Sequence, residues 1–258
     1  MKLIACYLMG NSGLFVDLTL SSIYDYVDKI IIVYDISSKD NTLERIKEWE
    51  SKGDKIIRID REYEHDFSIK NANSNARNFY LDYLKKHYLN DFCIVLDADE
   101  VPDDNLKDLK KYLESLESEK HYLISPQMIH FIGDLGHEDA TYEEHWVVNR
   151  IFKIKEGLYY PDGEHPILNS KEEYFYLKLK GFYIYHFAYC REMFYIKNRY
   201  LNHLNKSEIH STDYLKNWYL HHLFGIYPKR QIDPKKLPRT ITETFLLDKL
   251  IKNDNGNN

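Results

Sequence analysis

Cysteine is scarce: the chain of 258 residues holds three, Cys6, Cys93 and Cys190. An odd, widely spaced set builds neither a disulfide framework nor a CxxC metal knuckle. Cys6 and Cys93 fall inside apolar runs, where a free thiol behaves as a small hydrophobe, so a reducing, cytoplasmic setting is expected. Long hydrophobic runs are missing too. None nears the roughly 20 residues that cross a bilayer, and the first, LIACYLM, meets Gly10-Asn11-Ser12-Gly13 too soon for a secretory signal. The sequence predicts a soluble protein without a transmembrane segment, compatible with a peripheral place at a membrane. No dense basic run is present: Lys229-Arg230, Lys235-Lys236 and Arg239 are interrupted by Pro234 and Pro238. With a formal charge of −6, nucleic acid is not an expected partner. Neither GxGxxG after the first strand nor GxxxxGK(S/T) occurs, which argues against a nicotinamide enzyme and a P-loop NTPase.

Hydrophobic residues make up 43% of the chain, enough for a sizeable core. The first hundred residues alternate between strand and helix patterns. Leu3–Met9, Lys29–Tyr34, Lys55–Ile59 and Phe92–Leu96 read as strands; KIIIVY and FCIVL are continuous apolar runs, as in strands covered on both faces. Phe15–Tyr26, Leu43–Trp49, Ala72–Tyr88 and Leu106–Leu116 carry apolar residues at helical spacing. Ser38, Asp40, Asn41 and Glu44 look like capping chemistry for the second helix. This pattern predicts an α/β fold with a mostly parallel central sheet flanked by helices. Beyond residue 120, His121–Gln127, His145–Lys155, Tyr174–Leu179 and Phe182–Phe187 read as strands. Gly133–Tyr142 and Tyr159–His165 read as loops, and Met193–Leu204 and Thr212–Leu223 as helices. The expected division is a catalytic domain over 1–205 (halves 1–105 and 106–205), a helical extension over 206–252 and a disordered tail over 253–258. The 23 tyrosines fit ordinary packing or stacking on sugar rings.

In parallel sheets ligands bind beyond the carboxyl ends of strands, and two acidic segments lie there. Asp97-Ala98-Asp99-Glu100 follows FCIVL. Alternate carboxylates on an extended segment would point the same way and suit a hard divalent cation. Asp35-Ile36-Ser37-Ser38-Lys39-Asp40-Asn41-Thr42 joins a buried strand to a helix. Capping explains Ser38, Asp40 and Thr42 but not Asp35, leaving it for a nucleoside or phosphate site.

On these residues the chain resembles the family-2 type glycosyltransferases of the GT-A fold. VYDISSKDNT is similar to their strand-end D-x-x-S-x-D-x-T element, IVLDADE to their metal-binding segment, and Asn75-Ala76-Arg77-Asn78 to the ARN helix start between them. The resemblance implies a nucleotide-sugar site in which Asp35, with Cys6 and Tyr7 nearby, lines the nucleoside pocket. Arg77 and Ala98 would face the nucleotide. Asp97 would lie near the ribose or the metal, and Asp99 would ligate Mn²⁺ or Mg²⁺. Tyr185-His186-Phe187-Ala188-Tyr189 resembles an H-x-x-Y element whose His186 would complete the metal site. Asn149-Arg150-Ile151-Phe152 and Gly163-Glu164-His165-Pro166 resemble an R-x-F … G-x-H-E stretch, with Pro166 in place of the expected glutamate. Ile36 and Asn11-Ser12 also depart from common patterns and leave the base open, with UDP as the default.

The implied activity is metal-dependent, inverting transfer of a sugar from a nucleotide-diphosphate donor to a hydroxyl of a carbohydrate, lipid-linked or protein acceptor. Such a displacement needs a general base. Glu164, which adjoins His165, is the first choice, ahead of Asp162, Glu138 and Asp139. Two other classes remain. A sugar-phosphate nucleotidyltransferase would want basic residues in the first loop, which Gly10–Gly13 lacks. A non-catalytic carbohydrate-binding relative would not need the intact acidic segment.

Overall fold

The computed structural model describes residues 1–62, 72–140, 149–163, 166–190, 229–233 and 237–243. The chain divides into two compact units, Met1–Gln127 with Val147–Ile184, and Met128–Trp146 with Tyr185–Asn258.

In the first unit, β1 (Leu3–Met9), β2 (Lys29–Asp35), β3 (Ile56–Arg61) and β4 (Phe92–Asp97) form a parallel sheet in the order β3-β2-β1-β4. The register pairs Leu8 with both Val33 and Asp97. The carboxyl ends of β1, β2 and β4 therefore lie side by side, and Asp35 and Asp97 share that end. Beyond β4 the sheet turns antiparallel, through β8 (Ile151–Lys153) and the start of β6 (Tyr122–Ile132). The short β5 (Glu100–Pro102) pairs with β11 (Phe175–Tyr189), and β9 (Leu158–Tyr159) with β10 (Asn169–Ser170).

Strand alternation sorts the core into two layers. Ile4, Cys6 and Leu8 pack with Ile31, Val33, Cys93 and Val95 against Ala76, Tyr80, Leu81 and Leu84 of α3 (Ala72–Tyr88). Tyr7 belongs to the opposite face, where the hydroxyls of Thr19 and Tyr7 are 3.2 Å apart. Thr19 lies on α1 (Val16–Ile23), which precedes α2 (Thr42–Glu50). α4 (Leu106–Glu114) buries Leu106, Leu109 and Leu113 at the i, i+3, i+7 spacing of one helical face. The three cysteines are free and buried.

Three expectations are corrected. Gly133–Tyr142 is not a loop throughout: Asp134–Asp139 is a strand, β7, paired in the second unit with β6 and with β12 (Lys229–Gln231). Glu138 faces a basic partner, Arg230 donating to it at 3.1 Å, and that pairing across ninety residues compensates for a weak strand pattern. The two strands expected around Gly181 are one, because Gly181 takes φ +78° inside a continuous β11. The Asn41 side chain makes no capping bond; the Asp40 carboxylate accepts from the Thr42 N–H instead, at 3.1 Å.

Of His145–Lys155, Ile151–Lys153 is a strand and 145–148 lie outside the described residues, as do the helices read over Met193–Leu204 and Thr212–Leu223 and the tail. Among the described residues no helix is long and apolar enough to cross a membrane.

Candidate functional site

The loops leaving β1 and β2 are laced together. The Asn11 N–H donates to Ser38 Oγ at 3.1 Å and the Asn11 side chain accepts from the Lys39 N–H at 2.9 Å. The Ser12 N–H donates to Thr42 Oγ1 at 2.7 Å, and the Gly13 N–H to Asp40 Oδ2 at 2.8 Å. Asn11 sits in the left-handed region at φ 49°, which asparagine tolerates better than most residues. A Cβ on Gly13 would lie 2.0 Å from Asn41 Oδ1, so the exposed Asn41 side chain would have to swing aside. Ser38, Asp40 and Thr42 thus act mainly in joining the two loops.

Asp35 stands at the base of this junction and is wholly buried. Its Oδ1 accepts from the N–H and the hydroxyl of Ser37, at 3.0 and 2.8 Å. Its Oδ2 is buried and has no hydrogen-bond partner. A buried carboxylate oxygen left unmatched costs free energy unless a donor arrives.

The segment after β4 does not continue extended. Asp97 ends the strand, Ala98 and Asp99 form a turn, and Glu100 opens β5. The expected alternation of Asp97 and Asp99 is therefore replaced by a turn whose two ends are tied. Glu100 reaches back to accept from the Asp97 N–H at 2.8 Å. Arg77, from α3, donates to Asp97 Oδ1 at 2.7 Å. Arg150, just before β8, donates through Nη2 to Asp97 Oδ2 at 2.9 Å and to Glu100 Oε1 at 2.5 Å. Burial works against ionising Asp97, but the two guanidiniums outweigh it and hold the carboxyl well below the usual carboxylate range. Glu100 is pushed up from the usual carboxylate range, because burial and the charge of Asp97 outweigh Arg150.

The network continues along α3. Arg77 also donates to the Tyr80 hydroxyl at 3.4 Å, and that hydroxyl donates to Tyr160 at 2.8 Å. Asn78 pairs with the Tyr160 backbone in both directions, at 2.8 Å each, and Ser74 donates to the carbonyls of Pro161 and Gly163. In Asn75-Ala76-Arg77-Asn78, then, Arg77 meets the acidic turn and Asn78 docks the segment leading to Asp162.

Asp35, Arg77, Asp97, Ala98 and Asp99 thus all belong to the first unit, and Arg77 and Asp97 are in direct contact. Asp99 is half-buried in its turn and Ala98 is buried beside it. The Cys6 and Tyr7 side chains are fully buried on opposite faces of the sheet, so what β1 can offer a ligand there is backbone. Asp162 is exposed, whereas Glu164 and His165 lie outside the described residues. In the second unit, Glu138 and Asp139 are buried on β7, and His186 meets His130 Nδ1 to Nδ1 at 2.8 Å. Sequence reasoning gave no role to Arg150. Its signal was the R-x-F likeness alone, since its partners lie about fifty residues earlier.

No group of three or more His, Cys, Asp or Glu side chains among the described residues is arranged to hold a metal ion. A cation at the Asp97–Glu100 turn would need ligands from a bound diphosphate as well as from protein, the usual arrangement for Mg²⁺ at nucleotide sites.

Residues 11–198 match the family model of Glycosyl transferase family 2. The crystal structure of S. aureus TarS 1-349 is similar at 15% identity and a TM-score of 0.46, over 87% of this chain and 72% of that one. A second S. aureus TarS crystal structure is similar at 15% identity and a TM-score of 0.41, over 88% of this chain and 44% of that one. No curated protein matches the chain.

Proposed function

We propose, for a chain that belongs to glycosyl transferase family 2, that the Asp35 and Asp97–Glu100 end of the sheet binds a nucleotide-diphosphate sugar and transfers the sugar, with inversion, to an acceptor hydroxyl. The observation that carries this reading is Asp35, fully buried at a strand end with Oδ2 unpartnered. An imide or amide N–H of a nucleobase is a donor that would satisfy it once the loops above Asp35 part, since the oxygen is fully enclosed. UDP-sugar is the default donor.

Asp99 is the proposed protein ligand for Mn²⁺ or Mg²⁺. Such an ion, when bound, neutralises the departing diphosphate. Asp97, already gripped by two guanidiniums, serves the ribose side or the shape of the turn. Glu164 remains the first candidate base and Asp162 the second; Asp162 lies on the segment that Ser74 and Asn78 anchor. The acceptor belongs to the carbohydrate, lipid-linked or protein hydroxyls. The catalytic domain is proposed over 1–205, with 206–252 as an extension, in a cytoplasmic setting.

Calorimetry with UDP and GDP, with and without Mn²⁺, tests the reading. Wild type should bind one of them more tightly with Mn²⁺. Asp99→Ala should lose that metal increment, while Asp35→Ala should weaken binding in both conditions. Equal, metal-independent binding by wild type and Asp99→Ala would remove Asp99 from the metal site.

A further inference from the structure

We propose that Arg150 is a positioning residue that fixes the turn presenting Asp99, by bridging the carboxylates at its two ends. The inference rests on the reading of Asp99 as the metal-side residue. The Arg150 backbone is itself fixed, because its carbonyl accepts from the Val95 N–H at 2.8 Å, two residues before the turn. From that anchor one nitrogen, Nη2, spends its two hydrogens on different carboxylates, Asp97 Oδ2 at 2.9 Å and Glu100 Oε1 at 2.5 Å. The Glu100 carboxylate then returns to the Asp97 N–H, and the Glu100 carbonyl accepts from Thr19 Oγ1 at 2.8 Å. A closed ring results: Asp97 side chain, Arg150, Glu100 side chain, Asp97 backbone. Only Ala98 and Asp99 lie inside the turn, so their placement follows from the ring.

Two features separate this from a generic ion pair. The Glu100 side chain is 1% exposed and that of Arg150 10%, a depth at which a charge pair is a poor means of stabilisation compared with apolar packing. The Arg150 Nε–H is also buried without an acceptor, so the guanidinium meets its own needs incompletely while serving the turn. Asp97 has a guanidinium on each oxygen, 2.7 and 2.9 Å away. A dication approaching it would meet two positive charges, so the cation is left to Asp99.

The test is UDP or GDP affinity with and without Mn²⁺ for wild type, Arg150→Met, Arg150→Lys and Glu100→Gln. Losing the support behind a metal ligand commonly costs 10–100-fold in metal affinity, so Arg150→Met should cut the Mn²⁺-dependent gain by at least about tenfold. Arg150→Lys, which restores a cation with several N–H donors but not the rigid planar fork, should recover only part of the gain. Metal-free affinity should hold in both. Glu100→Gln, which must turn an amide donor toward one of two existing donors, should lose the gain as well, and keeps the question open to test if Arg150→Met does not fold. A folded Arg150→Met or Glu100→Gln with the wild-type Mn²⁺ response would overturn the proposal, as would equal losses with and without Mn²⁺. A wild type that binds neither nucleotide in Mn²⁺ would instead overturn the nucleotide-sugar reading beneath it.

Discussion

At the scale of single residues, the two aspartates of the acidic turn should separate cleanly. Asp97→Asn removes the charge between two guanidiniums and turns an amide donor toward one of them. Because 35% of the Asp97 side chain stays exposed, the cost falls below that of a fully buried pair, to about 2 kcal/mol. Asp99→Ala should remove the metal-dependent part of nucleotide binding while Asp97 keeps both its guanidinium partners. Urea unfolding checks the first variant and nucleotide titration with and without Mn²⁺ the second; a wild-type Mn²⁺ response in Asp99→Ala would erase the distinction. Gly13→Ala should cost less than about 1 kcal/mol, because its Cβ meets only the exposed Asn41 side chain, which can swing aside without breaking the lacing of the two loops. The acidic turn was legible in the sequence because it follows a buried strand directly. Its division of labour was not: which carboxylate is gripped and which is presented depends on Arg150, and no local pattern links Arg150 to Asp97.

At the scale of elements, α3 connects two parts of the site. One turn of this helix sends Arg77 to Asp97 and Asn78 to Tyr160. Asn78→Ala removes two 2.8 Å bonds to one backbone unit and should loosen the segment carrying Asp162. The expected outcome is a clear drop in transfer to acceptor, with UDP affinity within about twofold of wild type and a stability loss of about 1–2 kcal/mol. A parallel loss of UDP affinity would contradict that assignment. The same elements show what patterning can reveal. β1, β2, β4 and α3 were readable because their burial is periodic or continuous along the chain. β7 was missed because Asp134–Asp139 is polar and becomes a strand through partners on β6 and β12, a pairing that local composition does not encode.

At the scale of the whole molecule, buried carboxyls govern how stability responds to pH. Burial raises Asp103 from 3.8 to about 6, against N–H donors from Tyr183 and Asn105. Glu100 is raised in the same direction. A folded carboxyl with a raised pKa holds a proton that the unfolded chain has released, so its contribution is complete below the unfolded value and is lost as pH rises through the folded one. For Asp103 that window runs from about pH 4 to 6 and is worth on the order of 2 kcal/mol; Glu100 contributes with the same sign. Asp97 has the opposite sign, since its depressed pKa makes stability fall only as the solution becomes strongly acidic. His121, lowered by burial, also favours higher pH and partly offsets the decline near its own titration. From these described groups, stability should peak near pH 4–5 and decrease toward neutrality, rather than peak between about pH 5 and 8 as is common. Urea midpoints measured from pH 4 to 8 would show the slope. Asp103→Asn, which cannot titrate, should make the slope between pH 4 and 6 shallower, leaving the share that Glu100 contributes. A variant that keeps the full wild-type slope would place the titrating group elsewhere.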